Sequence, residues 1–208
     1  MIQTQSLSFS YSPAARFTFP DLRCDKGESL LITGKSGTGK TTLLHLLGGL
    51  LRPSSGSVSI AGTALESLSE RQLDAFRGRQ IGMILQESHF VAALSVLENL
   101  QLASWLATGN QNSDRALQLL AELDLRDHAA KYTSQLSIGQ KQRISIARAL
   151  ITSPSLVLAD EPTSSLDDEN AAIVTQLLKK LSQEYGAALI IVTHDQRLKE
   201  QFTNSVVL

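Results

Sequence analysis

The chain has 208 residues, with 19 Lys+Arg against 20 Asp+Glu and a formal charge of −1. Apolar residues make up 42%, too many for a disordered chain, yet no apolar run approaches the roughly 20 residues of a spanning helix. The near-neutral balance speaks against a dedicated nucleic-acid binder, the single cysteine, Cys24, fits a reducing compartment, and Met1–Gln5 lacks the basic and long apolar regions of a leader peptide. The expectation is a cytoplasmic globular protein of one domain, spanning 1–208.

In chain order, Leu7–Tyr11 and Phe17–Phe19 alternate apolar and polar residues and read as strands, followed by a turn at Lys26-Gly27 and a strand at Ser29–Thr33. A helical pattern over Thr41–Leu47 ends near Gly48-Gly49, and Pro53–Gly56 is a turn before a short strand at Val58–Ile60. Ser69 with Gln72 three residues on is a capping box that opens a helix, and Ile81–Leu85 is a strand. Ser95 with Glu98 opens a second capped helix running to about Trp105, and Ser113 starts another that carries Leu117, Leu119, Leu120 and Leu123. The alternation of strands and helices resumes with a helix over about Ile138–Leu150, a strand at Ser155–Asp160 and a helix over about Asp168–Tyr185. It ends with a strand at Ala187–Thr193, a short helix and Val206-Val207-Leu208. This order predicts an α/β fold, with a helical segment at about 90–137 inserted into it.

Gly34-Lys35-Ser36-Gly37-Thr38-Gly39-Lys40-Thr41 fits the phosphate-loop pattern G-x-x-x-x-G-K-[ST] without a mismatch, between a predicted strand and a predicted helix. The glycines let successive N–H groups turn inward to form an anion nest. The following helix adds its positive N-terminal end, Lys40 brings a full charge to the β- and γ-phosphates, and the Thr41 hydroxyl is a hard oxygen ligand suited to Mg²⁺. The motif specifies a nucleoside triphosphate and leaves kinase, GTPase and ATPase open. It predicts a P-loop core with a mostly parallel sheet and an N-terminal antiparallel β part.

Leu156–Ala159 is an apolar run that ends in Asp160-Glu161. A run apolar on both faces suits a central parallel strand, and ligands of such sheets gather at the carboxyl ends of strands. Asp160 is then placed to act on the metal through water, and Glu161 to orient an attacking water. The pair taken alone reads equally well as the cap of a following turn; the phosphate loop tips the balance.

Leu136-Ser137-Ile138-Gly139-Gln140-Lys141-Gln142-Arg143 resembles the signature of ATP-binding cassette (ABC) ATPases, with Ile138 where many members have glycine. Gln86 is similar to their Q-loop residue, Ser165-Leu166-Asp167 to their D-loop, His194 to their switch histidine, and Tyr11 to the aromatic residue that stacks on adenine. The segment Gln86–Leu100 looks like small stand-alone ATPases of lipoprotein-releasing and macrolide-efflux systems.

The resemblance implies an ATPase that works as a head-to-tail dimer. Gly34, Lys35, Ser36, Gly37, Thr38, Gly39, Lys40, Thr41 and Thr42, with Tyr11, would hold ATP. Leu136–Gln140 of a second copy would cover the γ-phosphate. Glu161, His194 and Lys40 would be catalytic, and Thr41, Gln86 and Asp160 (through water) would meet Mg²⁺. It also implies separate integral membrane subunits and a place on the inner face of the membrane. A non-transport mechanical complex, or a nucleotide-binding regulatory module with little turnover, stays open as an alternative. A DNA-repair or translation ATPase fits less well, because this chain has neither a long coiled-coil insertion nor a second cassette. With Val206-Val207-Leu208 last in the sequence, the covering of the sheet edge is in question, and the expectation is lower stability or stronger dependence on a partner than in longer relatives.

Overall fold

The computed structural model describes residues 1–12 and 15–208. The chain opens with β1 (Ile2–Ser12), β2 (Ala15–Thr18), β3 (Arg23–Cys24) and β4 (Ser29–Thr33), followed by α1 (Lys40–Leu47), β5 (Ser55–Ile60) and β6 (Thr63–Ala64). Next come α2 (Glu70–Gln80), β7 (Ile81–Ile84), α3 (Val96–Thr108) and α4 (Ser113–Glu122). The last part is α5 (Ile138–Leu150), β8 (Leu156–Asp160), α6 (Asp168–Tyr185), β9 (Ala188–Val192), α7 (Gln196–Lys199) and β10 (Ser205–Val207).

Two sheets result. The antiparallel one runs β2-β1-β5-β6, with β3 also paired to β1; the parallel one runs β10-β4-β9-β8-β7. β1 starts at Ile2, earlier than the alternation around Leu7 suggests. Its pairing with β5 shifts register between Gln5 and Ser8, where Ser6 takes a φ of 49°. The bulge breaks the period of two, so Ile2 and Leu7 both end up buried across it.

The parallel strands are apolar on both faces because both faces are covered. Leu30 and Ile32 of β4, Leu156 and Leu158 of β8, and Ile190 and Val192 of β9 join one core with Leu43, Leu44 and Leu47 of α1 and residues of the antiparallel sheet. Their alternates Leu31, Val157, Ala159, Leu189 and Ile191 join a second core with α3, α4, α5 and α6. The exposed edge of β4 is closed by β10, whose Val206 pairs with Ile32.

The stretch between β7 and β8 is mostly helical, and within it residues 95–97 meet residues 129–132. Val96 N donates to Lys131 O at 2.9 Å, Leu97 N donates to Ala129 O at 2.9 Å, and Ser95 forms an antiparallel bridge with Tyr132. Capping boxes close the starts of α2, α3 and α5 at Ser69, Ser95 and Ser137, so the local spacing that signals a helix start is realised each time. Among the described residues, no helix is long and apolar enough to cross a membrane.

Candidate nucleotide site

The carboxyl ends of β4, β8 and β9 and the start of α1 surround a cavity of about 520 Å³. It is lined by Phe17, Gly34–Gly37, Gly39–Thr42, Gln86, Asp160, Glu161 and His194. Gly39 caps α1 in the left-handed region, with no side chain bonded to the helix start, so the first N–H groups of α1 are left for a ligand. A Cβ at Gly39 would lie 2.7 Å from the Phe17 ring, so ring and loop meet closely only because this position is glycine. Lys40 Nζ donates to the carbonyls of Gly34 and Lys35, each at 2.9 Å. Thr38 Oγ1 donates to Lys35 O at 3.1 Å.

Thr41 Oγ1 donates to Asp160 Oδ2 at 3.2 Å. Burial pushes the Asp160 carboxyl up; the Thr41 hydrogen bond opposes this and the neighbouring Glu161 charge adds to it. Among the described residues, no group of three or more His, Cys, Asp or Glu side chains converges on one point. The hydroxyl of Thr41, the carboxylate of Asp160 and the amide of Gln86 on the same cavity wall are nonetheless hard oxygen donors of the kind Mg²⁺ takes alongside phosphate and water.

Glu161 is gripped on both carboxylate oxygens. Thr193 Oγ1 donates to Oε2 at 2.8 Å, His194 N donates to Oε1 at 3.1 Å, and His194 Nδ1 lies 2.6 Å from Oε1. Glu161 itself adopts a φ of 47°. That left-handed turn after a buried strand is uncommon for a residue with a side chain, and it brings the carboxylate back beside His194. The His194 side chain is 70% exposed and that of Glu161 10%.

Of the residues 136–140, none lines this cavity. Ser137 caps α5: its Oγ accepts from Gln140 N at 3.2 Å, and Gln140 Oε1 accepts from Ser137 N at 3.0 Å. Ile138 is 61% exposed and borders a neighbouring groove with Gln86, Lys141 and Leu166. Gly139 packs so closely on α6 that a Cβ would lie 2.6 Å from Asn170 Oδ1, and Asn170 in turn donates to both carboxylate oxygens of Asp167. The structure thus brings the 136–140 and 165–167 segments together, and neither lines the cavity at the phosphate loop.

Tyr11 is exposed and does not line the cavity; Phe17 does. The Tyr11 hydroxyl lies 3.3 Å from Thr42 Oγ1, and its ring meets Phe17 edge-on at 6.3 Å. Phe17, which lines the cavity, and Thr193, which holds Glu161, are side chains to which sequence reading gave no place in the site.

The strand-loop-helix cradle, the paired carboxylates after a buried strand and the capped start of α5 define an ATP-binding cassette. Residues 19–164 match the family described as ABC transporter. Over 178 residues the chain is 42% identical to the lipoprotein-releasing system ATP-binding protein LolD of Buchnera aphidicola subsp. Schizaphis graminum (strain Sg), covering 85% of this chain and 78% of that protein. It is also 42% identical to the methionine import ATP-binding protein MetN of Bifidobacterium longum (strain NCC 2705), covering 90% of this chain and 47% of that one. A solved dimer of the ATP-binding cassette MJ0796 in a post-hydrolysis state, bound to ADP and Pi, superposes with a TM-score of 0.88 at 32% identity, covering 100% of this chain and 94% of that one. The chain belongs to the ABC transporter family, as an ATP-binding ATPase of the kind coupled to transport.

Proposed function

We propose that two copies of this chain close head to tail around ATP and hydrolyse it to drive separate integral membrane subunits, from the cytoplasmic face of the membrane. The single cassette spans 1–208, and the segment at about 90–137 is its inserted helical lobe. The observation that carries the reading is the division of the site: Lys40 and the open start of α1 face the cavity, whereas the capped start of α5 does not. One nucleotide reaches both anion-binding ends only when a second copy supplies the α5 end. The dimeric state of the MJ0796 cassette with ADP and Pi supports this arrangement.

In this reading the 34–42 loop and helix start bind the phosphates, and Phe17, with Tyr11 beside it, offers aromatic surface to the base. Lys40 exchanges its two carbonyl contacts for phosphate oxygens. Mg²⁺ held by Thr41, by Gln86 and by Asp160 through water would supply further charge neutralisation at the phosphates. Glu161 accepts the proton of the attacking water, and water oxygen forms a bond to the γ-phosphorus as the bond to ADP breaks. With a proton on both ring nitrogens, His194 donates to Glu161 through Nδ1 and to a phosphate oxygen through Nε2. Ser137, Gly139 and the other residues of 136–140 from the second copy cover the γ-phosphate, with Ser165–Asp167 at the same junction.

Release-type and import-type ATPases match this chain at the same 42% identity, so the shared cassette accounts for the likeness and the cargo is set by the membrane subunits. The test is Glu161→Gln. The variant is expected to bind ATP, to hydrolyse it about 10²- to 10⁴-fold more slowly, and to elute as a dimer with ATP and as a monomer without. Near-normal turnover, or a monomer at saturating ATP, would overturn the reading.

A further inference from the structure

Arg197 in α7 makes every nitrogen of its guanidinium count. Nε donates to Oδ1 and Oδ2 of Asp195, both at 3.0 Å. Nη2 donates to Asp195 Oδ2 at 2.7 Å and to the carbonyl of Thr163 at 3.2 Å. Nη1 donates to the carbonyl of Leu166 at 3.3 Å and to Asp168 Oδ1 at 2.7 Å. The planar fork therefore spans from the loop after His194 to the 165–167 turn, which an ammonium on a flexible stem cannot do.

The Asp195 end of this bridge continues to the carboxylate of the cavity. Asp195 N donates to Thr193 Oγ1 at 3.0 Å, and Thr193 Oγ1 donates to Glu161 Oε2 at 2.8 Å. Thr163 Oγ1 closes the ring on Asp195 Oδ2 at 2.7 Å. Thr193 and Thr163 are fully buried, so these bonds face little competition from water. The Arg197 hydrogen bonds hold the Asp195 carboxyl down at about 2.

We propose that Arg197 is a positioning residue that ties the 165–167 turn to Glu161 through Asp195 and Thr193. Contact made at that turn by a second copy is thereby passed to the carboxylate that handles the attacking water. The proposal rests on the role given to Glu161 above. The turn has bonds of its own, Ser164 N to Glu161 O at 3.2 Å and Leu166 N to Thr163 O at 3.1 Å, so losing the guanidinium unties the turn without unmaking it.

The test uses the full chain and compares Arg197→Met, Arg197→Lys, Glu161→Gln and the double variant Glu161→Gln/Arg197→Met. The readouts are steady-state kcat and KM for ATP, nucleotide affinity of the monomer, and single-turnover rates. Arg197→Met is expected to lower kcat by about 10- to 100-fold, the scale of a misplaced reacting group, with monomer ATP affinity within about twofold, and Arg197→Lys to recover only a small part. The double variant is expected to turn over at the rate of Glu161→Gln alone, because Arg197 acts through Glu161. Unchanged kcat in Arg197→Met, full recovery by lysine, or rate losses that multiply in the double variant would each overturn the proposal. If Arg197→Met does not fold, Arg197→Lys alone decides, by whether kcat falls while KM holds. Normal turnover by Glu161→Gln strikes the role of Glu161 itself, and is read separately from the Arg197 single variants.

Discussion

Thr41 and Asp160, 119 positions apart in the chain, meet through a 3.2 Å hydrogen bond at the floor of the cavity. The contact joins the start of α1 to the end of β8, the two points at which a metal-bound triphosphate is expected to touch the protein. It is also where stability and function pull in opposite directions, because Asp160 is buried.

Burial raises the Asp160 carboxyl above its ordinary value. In the unfolded chain the group ionises near 3.8, so ionised Asp160 weighs against folding at neutral pH and ceases to do so as pH falls below that value. Asp160→Asn is therefore expected to unfold at a higher temperature than the parent chain at pH 7 without nucleotide, with the gain shrinking toward pH 4. The same variant is expected to lose Mg²⁺-dependent ATPase activity. Calorimetry across pH and a phosphate-release assay check the two halves; a variant that is less stable at pH 7 contradicts the first.

Ser137 caps α5 and in the proposed dimer also meets a phosphate, two duties that separate readouts of one variant distinguish. Its Oγ accepts from Gln140 N, which leaves its own proton free to donate to a phosphate oxygen. Ser137→Ala removes a helix cap, expected to cost about 1 kcal/mol, and one donor to the γ-phosphate of a second copy. ATP affinity of the monomer is expected to hold while turnover of the dimer falls about 10²-fold. Loss of monomer binding would place Ser137 in the chain's own cavity, against the geometry.

The sequence displayed the parts of this site that are local. The 34–41 loop is written in closely spaced glycines with Lys40 and Thr41 at its end, and the capping boxes at Ser69, Ser95 and Ser137 need only a spacing of three residues. Aromatic placement was harder, because Tyr11 and Phe17 lie on paired strands and only the pairing of Phe9 with Phe17 and the missing side chain at Gly39 decide which ring lines the cavity. Arg197 gave no signal at all. It stands in a short polar helix, and its partners at 163, 166 and 168 are brought to it by the tertiary fold.

The Arg197 bridge also has an acid signature. Asp195 titrates at about 2 in the folded chain, against a usual value of 3.8, chiefly because of the Arg197 hydrogen bonds. A depressed carboxyl adds stability that is fully present above its unfolded value and is lost as pH falls through the folded one. The stability difference between the parent chain and Arg197→Met is thus expected to be constant above about pH 5, to shrink as pH falls from about 4 through 2, and to level off at what the bonds to the Thr163 and Leu166 carbonyls contribute. Urea titrations at a series of pH values measure it; a difference that does not shrink between pH 5 and pH 2 would mean that the Asp195 carboxylate is not what Arg197 holds.

Asn99 is the polar hub of the segment that follows Gln86. It is 4% exposed on α3, and its amide reaches back to the loop before the helix. Oδ1 accepts from Val91 N at 2.9 Å, and Nδ2 donates to the carbonyls of Val91 at 3.2 Å and Leu94 at 3.1 Å. Truncation to alanine leaves these backbone groups without their partner, which costs about 1–3 kcal/mol where water cannot replace it. Asn99→Ala is expected to lower unfolding free energy by about 2 kcal/mol and to speed amide exchange at Val91. Exchange is expected to rise there before it rises in β8 or β9, because the loop loosens while the parallel sheet keeps its two cores. Uniform acceleration across the sheet would show instead that the 85–95 segment unfolds only with the whole protein.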